Sequence, residues 1–403
     1  MRKTAIAVLA AAALGLTALP AYAATADAPL SKAPMSACAY ADPTGAEPVP
    51  DLTRPNATAL AESISSAPDQ DTTGALVRLT GSAGGWSGTS GYSDITTHAP
   101  VDPDGYVRIG STTKTFTAVI VLQLAQEHRV DLEQPVQKYL PGVLPPSYPP
   151  IPVRTLLDHT SGLPSIDIPW LADPDEVIKH RYEHWSPARV LGTATAHPID
   201  YAPGTAQKYT NTSYVLAGML IEKVTGHSYG QAVRDRIARP LGMSRTFEPG
   251  DDPRLPNPHS NGYITNAHGD LVDVTEMNQS IPWSAGSLVS TAPDLDRFIT
   301  GLFRGRLLGP AMMTRLFTVP KVPMFDGTGD AYYSQGLMKI RLGKITVWGK
   351  TGSRYGYSSG VFATCDLQRK LAYSVNATTK SSDGQPAIVQ KIAVAATIPS
   401  PSV

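Results

Sequence analysis

Charge of one sign, cysteine and long apolar runs are all scarce in this 403-residue chain. Lysine and arginine together number 34, and so do aspartate and glutamate, so no net charge attracts a nucleic acid. No apolar run reaches the ~20 residues that a bilayer-spanning helix requires. We therefore expect no nucleic-acid partner and no stable insertion in a membrane.

The first 23 residues nevertheless follow the pattern of an export signal. Arg2 and Lys3 precede an apolar run over residues 5–19, and Ala21-Tyr22-Ala23 places small residues where a signal peptidase cleaves. This pattern predicts a signal peptide over residues 1–23 and a secreted, extracellular protein that begins near Ala24.

The two cysteines are Cys38 and Cys365, at opposite ends of the chain. Export favours their pairing as a disulfide, although two free thiols remain the alternative. Cys38 lies in a segment over residues 24–52 that is rich in alanine, proline and aspartate, and this composition predicts a leader or strap rather than a packed element.

The residue patterns beyond that leader predict one α/β (α+β) domain over residues 53–398. Strands are expected at residues 75–80 and 106–109, and again in four segments between residues 335 and 376. The region 112–285 has helical periodicity with proline-rich connections, including a helix over 174–184. We expect an antiparallel sheet from residues 70–110 and 330–380, flanked by helices, with a mostly helical insertion over 112–285.

A Gly-Ser pair opens the first helix of that insertion, and a lysine follows one turn later. Residues three apart share a helix face, so the Ser111 hydroxyl and the Lys114 amine should meet. A serine beside an amine can act as a nucleophile activated by a base. The four-residue pattern is weak evidence when it stands alone.

Two further short patterns each occur once. Tyr209-Thr210-Asn211 stands where a proline/glycine loop enters a helix. Lys350-Thr351-Gly352 follows a predicted strand over residues 345–349, so Lys350 and Thr351 would point from a sheet edge while Gly352 lets a substrate approach the backbone.

In this order, the three patterns resemble the active site of the penicillin-recognising serine enzymes. The resemblance covers residues 55–395. In detail, the sequence is similar to the secreted D-alanyl-D-alanine carboxypeptidases related to class C β-lactamases. Further segments that carry it are residues 106–111, 156–163, 214–222, 283–286 and 294–296. It implies a β-lactamase/transpeptidase-like fold and a monomer that needs no metal or other cofactor.

The resemblance also implies a role for each site residue. The Ser111 N–H, at the helix start, and the Ser353 N–H would stabilise the oxyanion. Tyr209 would carry a proton to the leaving amine, and whether Tyr209 or Lys114 is the principal base stays open. Further implied substrate contacts are Asn211 for the acyl-side amide, Lys350 and Thr351 for a terminal carboxylate, and Trp283 for one wall of the cleft.

The function so implied is hydrolysis of peptidoglycan stem peptides that end in D-Ala-D-Ala, through an acyl-enzyme at Ser111 that β-lactams would also form. A class C-like β-lactamase or an esterase of this fold is the alternative. A penicillin-binding sensor without turnover is a more remote one.

Two other motifs point to different chemistry. Gly356-Tyr357-Ser358-Ser359-Gly360 matches a nucleophile elbow, but all nine histidines precede it, so the required later histidine is missing. His180-Arg181-Tyr182-Glu183-His184 matches a zinc pattern if one helix carries both histidines, yet a charged helix is more often a solvated surface.

Overall fold

The computed structural model describes residues 36–42, 44–45, 50–378 and 385–400, in which helices and strands come mostly in successive groups. The helices are α1 (Ala37–Ala41), α2 (Ala57–Ile64), α3 (Thr113–Gln126), α4 (Val136–Tyr139), α5 (Val153–Leu157), α6 (Pro174–His180), α7 (Pro187–Thr195), α8 (Thr212–Thr225), α9 (Tyr229–Val233), α10 (Arg239–Leu241), α11 (Ala292–Phe303), α12 (Pro310–Phe317) and α13 (Ala387–Ala395). The strands are β1 (Thr72–Thr80), β2 (Trp86–Asp94), β3 (Ala99–Pro100), β4 (Val107–Arg108), β5 (Tyr263–Thr265), β6 (Leu271–Asp273), β7 (Val289–Ser290), β8 (Met338–Leu342), β9 (Ile345–Arg354), β10 (Tyr357–Ala363) and β11 (Lys370–Ala377).

Seven strands form one antiparallel sheet in the order β3-β2-β1-β11-β10-β9-β8. Strand β1 pairs with β11 from Gly74 opposite Asn376 to Thr80 opposite Lys370, which joins the two ends of the chain in the middle of the sheet. The predicted α/β fold, with an antiparallel sheet built from early and late strands, is therefore confirmed.

Helices cover both faces of this sheet. On one face, Leu60 of α2 and Ile392 of α13 pack with Val77 and Val375 of the central strands. On the other face lies the larger core, which includes α3 and α8. Residues 113–122 of α3 are all buried, as expected for a helix that is apolar or small on every side. The helix that follows Ser111 is therefore held rigidly in the core.

Several local predictions differ from the structure. The short strand before Ser111 is not part of the main sheet, because β4 pairs with β7 in a separate two-stranded ribbon. Strand β2 begins at Trp86, where no strand was expected, and β5 and β6 form a hairpin inside the region expected to be mostly helical. The helix expected over 174–184 ends at His180.

The N-terminal part of the chain is described only in pieces. The predicted signal peptide, residues 1–23, lies outside the described residues, as do residues 24–35, 43 and 46–49 of the predicted leader. In the described part, Cys38 in α1 forms a disulfide with Cys365, so this pairing is confirmed. Among the described helices, none combines the length and apolar character that a membrane crossing needs.

Candidate active site

Ser111 stands in a short 3₁₀ turn, Gly110–Thr112, that leads directly into α3. Gly110 has a φ of +48°, and a Cβ at this position would lie 2.6 Å from the backbone N and O of Ser353. Only glycine fits both the left-handed conformation and this close approach. The turn thus holds Ser111, whose side chain is partly exposed, beside the backbone of β9.

Lys114, one turn after Ser111 and the second residue of α3, is completely buried. Its Nζ lies 3.0 Å from Ser111 Oγ, 2.7 Å from Asn211 Oδ1 and 2.7 Å from the Ala285 carbonyl oxygen. Burial, together with the positive charge of Lys350, holds the pKa of the Lys114 amine well below its usual value. A neutral amine would donate its two N–H groups to the two carbonyl oxygens, which leaves its lone pair for the Ser111 hydroxyl.

Tyr209 approaches the same oxygen from the other side. Its hydroxyl donates a hydrogen bond to Ser111 Oγ at 2.8 Å. The ring lies 4.4 Å from His159 and 5.5 Å from Tyr333, centroid to centroid. Burial raises the pKa of the Tyr209 phenol, so it stays protonated and serves as a donor. The geometry can therefore run a proton from Tyr209 through Ser111 toward Lys114.

Lys350 supplies a second buried amine near Tyr209. Its Nζ lies 5.0 Å from the Tyr209 ring centroid and 5.6 Å from that of Tyr333, and it donates to the Thr351 carbonyl oxygen at 3.0 Å. Burial lowers the pKa of Lys350 to about 7. The Thr351 hydroxyl is 3.7 Å from Met338 Sδ, a weak acceptor that a substrate oxygen can replace.

Gly352 has a different role from the one predicted. A Cβ on Gly352 would collide with the Ile109 carbonyl oxygen and lie 2.8 Å from Ser359 Oγ, so the glycine admits the turn before Ser111 rather than a substrate. Gly352 also lies inside β9, which continues to Arg354, and not beyond the end of a strand. This packing brings the Ser353 backbone alongside Gly110, next to Ser111.

Comparison with known proteins places this geometry in a family. The sequence model of the Beta-lactamase family matches residues 56–396. The chain belongs to the β-lactamase family. It is 24% identical over 306 residues to a penicillin-binding protein of Bacillus subtilis, a match that spans 71% of this chain and 64% of the relative. It is 30% identical over 159 residues to a β-lactamase of Escherichia coli, across 40% of this chain and 39% of that one.

Solved structures extend the likeness over most of the domain. A D-stereospecific amidohydrolase from Streptomyces sp. is 35% identical, with a TM-score of 0.73, and the match covers 84% of this chain and 98% of that one. The D-amino acid amidase from Ochrobactrum anthropi is 26% identical, with a TM-score of 0.73, over 84% and 97% of the two chains. The chain therefore has the fold of the β-lactamase family, and it spans less than two thirds of the length of the two curated relatives named above.

One predicted site residue of this β-lactamase-family protein lies elsewhere. Trp283, expected as a wall of the cleft, is only 9% exposed and packs against Gly218 and edge-on against Tyr229, with ring centroids 5.7 Å apart. Its turn instead serves the site through Ala285, whose carbonyl oxygen accepts from Lys114. Trp283 is thus a core residue, and the cleft-wall prediction was wrong.

Sequence reasoning also passed over three residues that touch the site: Ala285, His159 and Tyr333. The resemblance named segments around Ala285 and His159, yet no side-chain chemistry pointed to them. His159 is buried, accepts at Nδ1 from the Thr210 N–H and supports the Tyr209 ring. Ala285 acts through its carbonyl, which any residue carries, so only the folded backbone reveals it.

The two other motifs do not assemble. Helix α6 ends at His180, so the two histidines do not share a helix face. They also have different partners: His180 bonds Glu176 and Glu183, whereas His184 bonds Asp251. Ser358 lies in β10 and its hydroxyl donates to Gln385 Oε1, so the elbow-like sequence is part of a strand.

Proposed function

We propose that this protein is a serine amidohydrolase that cleaves the amide bond following a D-amino acid through an acyl-enzyme at Ser111. The observation that carries the proposal is the position of Ser111 Oγ, 3.0 Å from the Lys114 amine and 2.8 Å from the Tyr209 hydroxyl. The D-configuration is supported by the named substrate classes of the Streptomyces and Ochrobactrum enzymes, which share the fold over 84% of this chain.

Acylation begins when neutral Lys114 takes the Ser111 proton as the hydroxyl oxygen attacks the amide carbon. The N–H groups of Ser111 and Ser353 stabilise the oxyanion, and each donor of this kind contributes on the order of 3 kcal/mol in comparable enzymes. As the C–N bond breaks, Tyr209 gives its phenol proton to the leaving nitrogen. The proton held by Lys114 then restores the phenol.

Deacylation repeats these steps with water in place of the amine. The Lys114–Tyr209 pair removes a proton from water while the water oxygen attacks the acyl carbon, and Ser111 Oγ regains a proton as its bond to the acyl group breaks. The acid is released and the starting enzyme returns.

A D-Ala-D-Ala carboxypeptidase is the second candidate, and Lys350 favours it. The buried Lys350 amine, which reaches the Thr351 carbonyl oxygen, matches a carboxylate on the leaving residue, as in a peptidoglycan stem peptide. β-Lactams carry the same amide and carboxylate, and we expect them to acylate Ser111 under either candidate. We also propose that the protein is exported, since residues 1–23 resemble a signal peptide and Cys38 pairs with Cys365.

The experiment compares N-acetyl-D-alaninamide, N-acetyl-D-Ala-D-Ala and their L-enantiomers as substrates. The proposal predicts hydrolysis of the D-compounds only. Faster cleavage of N-acetyl-D-alaninamide would show an amidase, and faster cleavage of N-acetyl-D-Ala-D-Ala would show a carboxypeptidase. Rapid turnover of penicillin with neither D-compound cleaved would show a β-lactamase, and labelling by penicillin without any turnover would show a sensor; both results would overturn the proposal.

A further inference from the structure

A cavity of about 260 Å³ reaches the site through Asn211, whose Oδ1 accepts from Lys114, and Ser353, whose backbone lies beside the turn of Ser111. Its apolar wall consists of Ile166, Trp170, Leu171, Val177 and Ile281. Arg354, the last residue of β9, also lines it. The cavity thus combines room for a hydrocarbon chain with a guanidinium group.

The contacts of Arg354 are all with neutral groups. Its Nε donates to Gln279 Oε1 at 3.1 Å, its Nη2 lies 3.6 Å from Met277 Sδ, and its Cζ lies 5.4 Å from the Tyr355 ring centroid. Among the described residues, no carboxylate forms an ion pair with Arg354. A partly buried cation without an ion-pair partner gains stability when an anion reaches it.

The other charged groups around the cavity do not neutralise it. Arg181 also lines it, and its Nη1 donates to the Ile178 carbonyl oxygen. Glu183 is the carboxylate of the lining, but His180 Nδ1 lies 2.6 Å from its Oε1, and Trp185 Nε1 donates to its Oε2. The guanidinium of Arg354 therefore remains available to a ligand.

The cavity faces the acyl part of a substrate. In the proposed mechanism Lys350 and Thr351 face the leaving group, whereas Asn211 and Ser353, which line the cavity, flank the carbonyl under attack. A strand rises ~3.3 Å per residue, so the Cα atoms of Lys350 and Arg354 are about 13 Å apart along β9. The two cations thus serve opposite ends of a substrate.

We propose that Arg354 selects substrates whose acyl group carries a carboxylate at the end of a short apolar chain. The inference rests on the proposed amide hydrolysis and names its substrate class. A free ammonium group on the acyl residue would be repelled by Arg354, so an N-acylated D-residue with an acidic tail is the preferred donor.

The test uses N-glutaryl-D-alaninamide and its neutral counterpart of the same shape, N-glutaramoyl-D-alaninamide. We expect kcat/KM to favour the charged compound by about tenfold or more, since charge-assisted hydrogen bonds are the stronger class. Arg354→Gln should bring that ratio close to one, because it removes the charged partner of the carboxylate and so lowers kcat/KM for the charged compound far more than for the neutral one. Arg354→Lys should keep part of the preference.

Arg341→Gln is the matched control, because Arg341 is exposed on β8 and should leave the ratio unchanged. Equal rates for the two compounds, or a preference that survives Arg354→Gln, would overturn the inference while the proposed function stands. If neither amide is cleaved, the proposed function fails. Calorimetric binding of N-glutaryl-D-alanine to the native protein and to Arg354→Gln then still decides the inference. Tighter binding to the native protein supports it, and equal binding overturns it.

Discussion

Three oxygen atoms around Lys114 Nζ, those of Ser111, Asn211 and Ala285, determine where the Ser111 proton can go. Two of them, Asn211 Oδ1 and the Ala285 carbonyl oxygen, only accept hydrogen bonds, so they use the amine's protons and orient its lone pair toward Ser111. Tyr209, protonated and donating to the same hydroxyl, cannot serve as the resting base. The sequence left open the choice between Lys114 and Tyr209. Because burial lowers the pKa of the Lys114 amine and raises the pKa of the Tyr209 phenol, we propose Lys114 as the base for acylation.

Lys350 should give the two leaving groups different pH profiles. Its pKa of about 7 means that the free site binds a carboxylate best below that pH, when the amine is charged. The kcat/KM ratio of N-acetyl-D-Ala-D-Ala to N-acetyl-D-alaninamide should thus fall about tenfold per pH unit above 7. Protonation of Lys114 at low pH lowers both rates and cancels in the ratio.

Lys350→Met serves as the control for this titration, and its ratio should not vary with pH. A ratio that is also flat in the native enzyme would show that Lys350 does not bind the carboxylate. The same substitution should raise Tm, and more at pH 6 than at pH 9. The sign follows because the pKa of Lys350 is lower in the folded than in the unfolded protein. The free energy of unfolding therefore falls as pH decreases from the unfolded-state pKa toward 7.

At the scale of elements, the site depends on how closely β9 packs against the turn before Ser111. Gly352→Ala should displace the Ile109 carbonyl and with it Ser111, since the added Cβ has no space there. We expect a loss of stability of about 2–3 kcal/mol and a fall in kcat/KM of about 100-fold, from a small misplacement of the nucleophile.

Gly192→Ala is the matched control, because that glycine lies in α7 with no atom within 4 Å of an added Cβ. It should leave kcat/KM unchanged and stability equal or higher. Chemical denaturation and steady-state kinetics on both variants measure these effects. A Gly352→Ala enzyme with native kinetics would contradict the packing argument.

The elements that sequence patterns predict well are those whose own residues decide them. The run Ile345 to Gly349 is rich in β-branched and aromatic residues, the helix after Ser111 is a long apolar run, and both are found. Strand β2, by contrast, contains Trp86-Ser87-Gly88-Thr89-Ser90-Gly91, a composition typical of turns, and becomes a strand because β1 pairs with it from Leu79 to Gly74. Pairing with β1, and not the intrinsic strand propensity of its own residues, makes β2 a strand.

The same distinction applies to the site. Ser111, Lys114, Tyr209 and Asn211 were predictable because their side-chain chemistry and order are distinctive. Ala285 contributes a backbone carbonyl, and Arg354 enters the cavity only because β9 continues past Gly352 to pair with Tyr357. Such contributions depend on strand length and loop path, which local patterns do not specify. Trp283 shows the converse. Its residue type is distinctive, but the atom that contacts the site is the carbonyl oxygen of Ala285, two residues later.

At the scale of the whole molecule, the disulfide ties α1 to the turn between β10 and β11. Cys38 and Cys365 are 327 residues apart, so the link constrains a very long loop in the unfolded state. Replacing both by serine should lower the free energy of unfolding by about 2–5 kcal/mol. We expect kcat/KM at 25 °C to stay native, because Cys38 and Cys365 line a different cavity from Asn211 and Ser353.

Denaturant unfolding with and without reductant measures this effect, and the Ser/Ser variant should not respond to reductant. Its kinetics serve as the internal control for correct folding. A variant with native stability would contradict the view that the N-terminal helix is anchored through this bond.

The central claim is that Ser111 becomes acylated with Lys114 as the base, and intact-mass spectrometry after incubation with benzylpenicillin tests it most directly. We predict one added penicilloyl group, which peptide mapping places on Ser111, and no adduct in Ser111→Ala. Acylation of Lys114→Met should be slowed about 100-fold or more. Lys223 is an exposed lysine of α8, so Lys223→Met should behave as native. A native protein that is neither labelled nor able to turn penicillin over, or a label that persists in Ser111→Ala, would contradict the account.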